Sequence, residues 1–382
     1  MAWNSVDIHE QRVRFVVAAS RHEKPFQELC KEFGISRPTG YLWSQRYRQM
    51  GLAGLQELSR RPHHSPECTS EEQQQQVIAM RQRYPDWGAR KLQVLLQTAG
   101  VGLPATTIHR ILLRHGLVRG EDRHPHATQR FQRTAPNQLW QMDFKSPIGW
   151  EAHVGPLSVL DDYSRYLTTL HATGSTRAEP VREQLAQTFQ RCGVPEAMLM
   201  DHGTPWWNTR SPGGITALAV WLMRQGIRLY WSGFRHPQTQ GKVERFHGSL
   251  QRTMRLRGLP SQDRQQWLEQ YRCEYNEVRP HEALGMRTPA SLWRKSTRAY
   301  DPNPPRWEYA PGAEVRRIGR YGHLYVDGVR WNLSLALAEQ WVELVRIEQR
   351  ILVCYCRTVV CELDPEIHRS TAVDRWIPDL RL

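Results

Sequence analysis

Residues 139–144, Leu-Trp-Gln-Met-Asp-Phe, form an apolar run of strand length in which one carboxylate, Asp143, interrupts the apolar face. A second run, Leu157-Ser-Val-Leu-Asp161, follows it, and residues 166–171 read as the return strand of a hairpin. Apolar residues then recur at helical period over 178–191. Beyond lie a strand at 197–200, a helix at 215–224, a strand at 227–231 and helices at 241–256 and 264–275. Three adjoining strands followed by β-α-β units predict a mixed sheet with helices on its faces.

On the N-terminal side of this α/β core the pattern is helical. Helices are predicted at 25–33 and 37–48, with Gly34 and Ile35 as the turn between them and Ser36 as the cap of the second. That second helix carries Arg37, Thr39, Tyr41, Ser44, Gln45, Arg46 and Arg48 around an apolar seam of Leu42 and Tyr47. This is the pattern of a helix-turn-helix recognition helix; a plain three-helix bundle with a polar outer face fits the same residues. A basic connector, Ser59-Arg-Arg-Pro-His-His-Ser-Pro66, leads into a second helical module, where Ser70 with Gln73 makes a capping box and helices are expected at 88–97 and 106–115. Two such modules in series, joined through Arg60 and Arg61, suit a long asymmetric DNA site.

On the C-terminal side, after Pro302-Asn-Pro-Pro305, short strands are expected at 314–318, 323–326, 329–333, 341–347 and 350–355, with Asp327-Gly328 as a hairpin turn. They suggest a small all-β barrel with Arg316, Arg317, Arg320 and Arg330 as a basic face. The expected organisation is therefore multidomain: a helix-turn-helix module at 1–58, a basic linker at 59–69, a second helix-turn-helix-like module at 70–119 and a linker at 120–134. The α/β core would occupy 135–297, followed by a linker at 298–309, the barrel at 310–365 and a tail at 366–382.

A length of 382 residues agrees with several cores. The formal charge of +14 points to a polyanionic partner, nucleic acid first, through counterion release. The excess is local: 20 basic against 12 acidic side chains over 1–134, 21 against 14 over 135–300, and 11 against 12 over 301–382. Seven cysteines, an odd number, predict reduced thiols in a cytoplasmic protein, and no stretch approaches membrane-spanning length.

Three carboxylates stand where the sheet presents its edge. Asp143 breaks the apolar face of its strand, Asp201 ends the run Met-Leu-Met-Asp, and Glu244 lies in the first turn of the helix after Gln238-Thr-Gln-Gly-Lys242. Carboxylates without a Cys or His partner suit hard, oxygen-preferring cations such as magnesium or manganese. Two such ions about 3.5–4 Å apart can activate an attacking oxygen and stabilise a leaving one in phosphoryl transfer. Asp161 and Asp162 are rivals for the second position, although a hairpin turn favours Asp for its local hydrogen bonds.

Residues 138–292 resemble the integrase catalytic core of bacterial insertion-sequence transposases, related to retroviral integrases and ribonuclease-H-like in fold. The resemblance rests on Gln138-Leu-Trp-Gln-Met-Asp143-Phe, Val159-Leu-Asp-Asp-Tyr-Ser-Arg165 and Asp201-His-Gly-Thr-Pro-Trp206. It rests also on His236-Pro-Gln-Thr-Gln-Gly-Lys-Val-Glu244-Arg-Phe-His247 and Tyr275-Asn-Glu-Val-Arg-Pro-His281. It implies that Asp143, Asp201 and Glu244 are a DDE triad holding two divalent ions, Mg2+ with Mn2+ as substitute. The interval from Asp201 to Glu244 is longer than in many relatives, and Ser211-Pro-Gly-Gly214 marks the surplus as a loop insertion. His202 and His247 are expected beside the triad. Gln238, Gln240, Lys242 and Arg245 are expected on DNA, together with Arg37, Thr39, Tyr41, Gln45 and Arg46 of the recognition helix. The partners implied are double-stranded DNA, at least a second protomer and an accessory ATPase, in a bacterial cytoplasm. A DNA-binding regulator that keeps the core as a dimerisation scaffold is the alternative.

Overall fold

The computed structural model describes residues 8–57, 69–118, 132–147, 153–209, 214–232, 241–260 and 262–372. They fall into two compact units that divide between Thr69 and Ser70.

The first unit contains α1 (Ile8–Arg21), α2 (Phe26–Glu32) and α3 (Arg37–Met50). Gly34 takes the left-handed conformation (φ +65°) that ends α2, and Ser36 caps α3 by accepting the Thr39 amide at 3.3 Å. Its core is Phe15, Val16, Leu29, Cys30 and Leu55, with Phe26, Phe33 and Trp43 packed against it. The seam expected on Leu42 and Tyr47 is not the buried one: these side chains are 44% and 37% exposed, and α3 instead turns Gly40 and Trp43 inward. The reason is volume. At Gly40 a Cβ would lie 2.8 Å from Cys30 Sγ and 2.9 Å from Phe15 Cζ, so the helix approaches α1 and α2 where it has no side chain.

The second unit opens with α4 (Glu71–Arg83), α5 (Ala89–Thr98) and α6 (Ala105–Arg114), whose apolar faces meet on Val77, Trp87, Leu92, Ile108 and Ile111. Ser70 caps α4 through the Gln73 amide (3.3 Å). The α/β core follows: β1 (Trp140–Phe144), β2 (Leu157–Asp161), β3 (Leu167–His171), α7 (Ala178–Cys192), β4 (Ala197–Met200), α8 (Ala217–Arg224), β5 (Arg228–Trp231), α9 (Gly241–Arg257) and α10 (Arg264–Cys273). The five strands are ordered β3-β2-β1-β4-β5, with the first three antiparallel and β4 and β5 joined in parallel to β1. Strand alternation sorts the side chains. Trp140, Met142, Leu157 and Val159 face α7 and α8, whereas Leu160, Leu167 and Leu170 meet Phe246, Leu250 and Tyr271 of α9 and α10. Helix α10 runs on into a π-helical turn over Glu274–Val278.

The C-terminal strands are β6 (Glu314–Arg317), β7 (His323–Val326), β8 (Val329–Asn332), β9 (Trp341–Ile347), β10 (Arg350–Tyr355), β11 (Thr358–Asp364) and β12 (Arg369–Ala372). They do not close into the expected barrel. Five form an open antiparallel sheet in the order β12-β11-β10-β9-β6, and β7 and β8 pair as a separate hairpin through Asp327 and Gly328, both at positive φ. A sheet closes to hide its apolar face and its edges; here the face is hidden differently, because Val342, Leu344, Ile351, Val353 and Leu363 belong to the same apolar cluster as α7, α8 and the central sheet. Residues 298–309, read from the sequence as a linker, contribute to that junction: Arg298 donates to the carbonyls of Pro195, Gln225 and Gly226. Two of the four arginines of the expected basic face are paired, Arg316 with Glu314 and Arg317 with Glu339.

The helical module of α4–α6 is tied to the core by one carboxylate. Asp86, in the turn after α4, accepts Arg257 Nη2 (2.6 Å) and Nε (3.0 Å) through Oδ1, and Arg279 Nη1 (2.9 Å) and Thr253 Oγ1 (3.1 Å) through Oδ2. Burial pushes the Asp86 carboxyl up, and the Arg279 and Arg257 charges more than offset that, holding it below its ordinary value. Asp86→Ala leaves two arginines facing an empty buried site and is expected to destabilise the chain by about 3–5 kcal/mol in denaturant unfolding. With a depressed pKa, the Asp86 contribution is present above the ordinary carboxylate range and is lost as pH falls through the folded value, so the wild-type and Asp86→Ala stabilities should converge in acid. In the first unit, Gly40→Val is expected to cost about 1–3 kcal/mol by overpacking, read as a lowered Tm.

Candidate active site

The parallel register of β1 and β4 places Gln141 opposite Leu199. Asp143 and Asp201 each lie two residues further on, so they stand at the same end of adjacent strands and, by parity, on the same sheet face. That face is covered by α9, which carries Glu244 in its first turn. Burial raises the Asp143 carboxyl to about 7, and the neighbouring charges of Asp201 and Glu244 add to the effect. Glu244 is exposed at the surface, and the Asp201 carboxylate is turned back on its own loop, Oδ1 accepting the Gly203 amide at 2.9 Å.

Among the described residues no three His, Cys, Asp or Glu side chains converge closely enough to hold one ion. The three carboxylates are thus electrostatic neighbours without forming a closed donor set. Their chemistry nevertheless fits a divalent cation: all are hard oxygen donors, and the burial and mutual repulsion that raise Asp143 are what such a charge offsets.

Around them the structure sorts the other predicted residues. His247, one turn beyond Glu244 on α9, shares Nε2 with Ser158 Oγ at 3.0 Å, and its Nδ1 lies 3.8 Å from Asp143 Oδ2. Burial and the Lys145 charge lower it to about 3, so at neutral pH it is an uncharged neighbour rather than an ion-pair partner. His202, beside Asp201, meets the Trp207 ring edge-on with centroids 4.8 Å apart. Trp206 stacks on Phe144 and Trp207 meets Trp231 edge-on, a packed aromatic wall under the strand ends. The insertion after Asn208 is closed at its base by the Asn208 amide on the Gly214 carbonyl (2.8 Å); residues 210–213 lie outside the described residues.

Lys242 is not on the surface awaiting DNA. Its ammonium reaches inward to Asp162 Oδ1 at 2.5 Å, with the side chain only 16% exposed, and burial lowers it to about 8. The cause is Asp162 itself: fully buried, it also accepts Gln141 Nε2 (2.9 Å) and the Arg133 amide (2.7 Å), and its charge demands a cation. Gln141 then accepts the Val243 amide at 3.3 Å, so Asp162, Gln141 and Lys242 together anchor the start of α9. Nothing in the local sequence marks Gln141 for this role except a polar residue inside an apolar strand. Asp161 is equally structural, accepting the Asn137 amide (2.7 Å) and Ser164 N (2.8 Å) and Oγ (2.5 Å) at the hairpin turn. Arg245 is exposed beside Glu244.

On α3, Arg37, Tyr41 and Gln45 are exposed along one side, and Tyr41 is stacked on Phe26 (4.4 Å). Thr39 is drawn into the cap, 2.9 Å from Ser36 Oγ, and the Arg46 guanidinium lies over the Trp43 ring at 4.9 Å. Arg60, Arg61, Gln238 and Gln240 lie outside the described residues.

Comparison with known proteins identifies domains along the chain. Residues 133–237 and 225–289 match two models described as integrase core domain; residues 11–63 match a helix-turn-helix domain and 39–112 a homeodomain-like domain. The chain is 24% identical over 225 residues, 55% of its length and 76% of the relative's, to the insertion element IS407 uncharacterized 31.7 kDa protein of Burkholderia multivorans (strain ATCC 17616 / 249). Similar solved structures include a simian T-cell lymphotropic virus intasome in complex with PP2A regulatory subunit B56 gamma, at 14% identity and TM-score 0.34, covering 72% of this chain and 91% of that one. Another is the HTLV-2 integrase catalytic core domain in complex with magnesium in its dimeric form, at 13% identity and TM-score 0.31, covering 41% and 97%. Helix-turn-helix and homeodomain-like matches thus precede two integrase core domain matches along the chain, which is also similar to an insertion-element protein.

Proposed function

We propose that this chain binds the ends of a mobile element, cleaves them to 3′-hydroxyls and joins those ends to target DNA at one site built on Asp143, Asp201 and Glu244. The observation that carries the proposal is the side-by-side placement of Asp143 and Asp201 on the sheet face that α9 covers, within electrostatic range of Glu244. Two divalent ions, magnesium with manganese as a substitute, would be held by these carboxylates and, when bound, supply charge neutralisation at the phosphate and ionisation of the attacking oxygen. The chain's own contribution is alignment. Lys242, Asp162 and Gln141 fix the start of α9 and hence the position of Glu244. Neutral His247, held by Ser158, packs beside Asp143 without competing as a cation, and exposed Arg245 is placed to donate to a phosphodiester. Arg37, Tyr41 and Gln45 would face the element's end, and at least two protomers are needed to bring two ends together.

Asp143→Asn, Asp201→Asn and Glu244→Gln keep shape but remove the charge that neutralises a cation. Each is expected to abolish both end cleavage and transfer of pre-cleaved ends while leaving end binding nearly normal in a gel-shift assay. Near wild-type strand transfer by any one of them removes that residue from the site; a wild-type protein that binds ends yet never cuts or joins is a regulator. Removal of residues 1–69 spares the second unit, with its Asp86 tie intact, and is expected to abolish preference for the element's ends. The truncated chain's log K against log salt slope should also fall, by about one unit for each phosphate that the removed helices engage in the full chain.

A further inference from the structure

Residues 132–138, the starts of β4 and β5 and the β10–β11 turn enclose a cavity of about 280 Å3 lined by Arg133, Arg228 and Arg357, with Tyr230 and a single carboxylate, Glu196. It is remote from the acidic site. Ala197, in its wall, begins β4 and Asp201 directly follows that strand, so at a rise of about 3.3 Å per residue the two lie roughly 13 Å apart.

Arginines of the second unit meet two kinds of partner: Arg298, like Arg228 below, donates to carbonyls, whereas others are matched by carboxylates. Arg257, Arg272 and Arg279, with side chains 20%, 11% and 6% exposed, all meet carboxylates. Arg228 is half-buried yet donates only to uncharged acceptors, through Nε to the Arg357 carbonyl (3.2 Å) and through Nη1 to Tyr230 Oη (3.4 Å). The Arg357 guanidinium, also half-buried, makes no hydrogen bond or ion pair among the described residues. Three arginines line the cavity against the one carboxylate, Glu196, so its lining carries a net positive charge that favours an anion. The space they border is slightly below the range of about 300–1,000 Å3 usual for larger organic ligands, which suits a small oxyanion. Guanidinium forks match the oxygens of phosphate in particular.

We propose that this cavity is a phosphate-binding site in which Arg228 and Arg357 grip one phosphate group, carried by a nucleic-acid backbone or by a free phosphate compound. The site stands whether or not the carboxylates perform the chemistry proposed above. Arg228 also ties β5 to the β10–β11 turn, so Arg357→Ala is the cleaner variant and Arg228→Gln the companion.

The test uses the full chain in two arms: titration with inorganic phosphate at constant ionic strength, and binding to a duplex of arbitrary sequence across a salt series. Wild type is expected to bind phosphate, Arg357→Ala and Arg228→Gln to weaken it at least ten-fold, and Glu196→Gln, which removes the opposing charge, to tighten it. If the phosphate belongs to DNA, the salt slope falls by about one unit in either arginine variant and by no more than one in the double variant, because both residues serve one phosphate. A slope equal in all variants, with phosphate binding abolished, assigns the site to a free phosphate compound. Phosphate affinity and salt slope that are both unchanged in Arg357→Ala overturn the proposal.

Discussion

Gln141 lies opposite Leu199 because β1 and β4 run in parallel, and the functional face follows from that register. With period-two side chains, a slip of one residue would rotate Asp143 into the layer now filled by Trp140 and Met142, and bring those apolar groups to the α9 side. The apolar layer therefore enforces the register, and the register enforces the meeting of Asp143 with Asp201. The placement of the two carboxylates and the packing of the core are in this sense a single constraint, read from opposite faces of one sheet.

Two kinds of buried carboxylate coexist in the second unit, and their surroundings separate them. Asp86 and Asp162 are surrounded by cations and amides of the chain itself, and their work is to hold elements together. Asp143 has no such company. Burial first, and then the charges of Asp201 and Glu244, push its carboxyl up to about 7, and the imidazole beside it is neutral. Among the described residues Asp143 is paired with no Lys or Arg, in contrast to Asp86 and Asp162.

Most of the α/β core was legible because each strand is a short apolar run and each helix keeps a clean period; the polar breaks at Asp143 and Asp201 stood out against them. What escaped was information carried by partners far away in sequence. Lys242 beside Glu244 looks like a DNA contact until the buried Asp162 that claims it is known. Strands β11 and β12 were missed because the turn between β10 and β11 uses Cys356 at positive φ (52°) and Arg357, with no Gly, Asn or Pro to announce it. The barrel was overread for a related reason: strand patterns show which face is apolar, but not that α8 and the central sheet will cover it. On α3, residue types alone could not show that a glycine, rather than Leu42, marks the line of closest approach.

The Asp86 tie also bears on how the chain assembles as it is made. Its two arginines stand 171 and 193 positions downstream, so at about 5–20 residues per second Arg279 follows Asp86 out of the ribosome roughly 10–40 s later. The helices of α4–α6 possess an apolar cluster of their own and can collapse well before that. During this interval the nascent module presents a negatively charged docking point without its mate, and the residue that follows the π-helical turn after α10 is what completes it. Completion of the tie is thus timed to synthesis of the segment that follows α10.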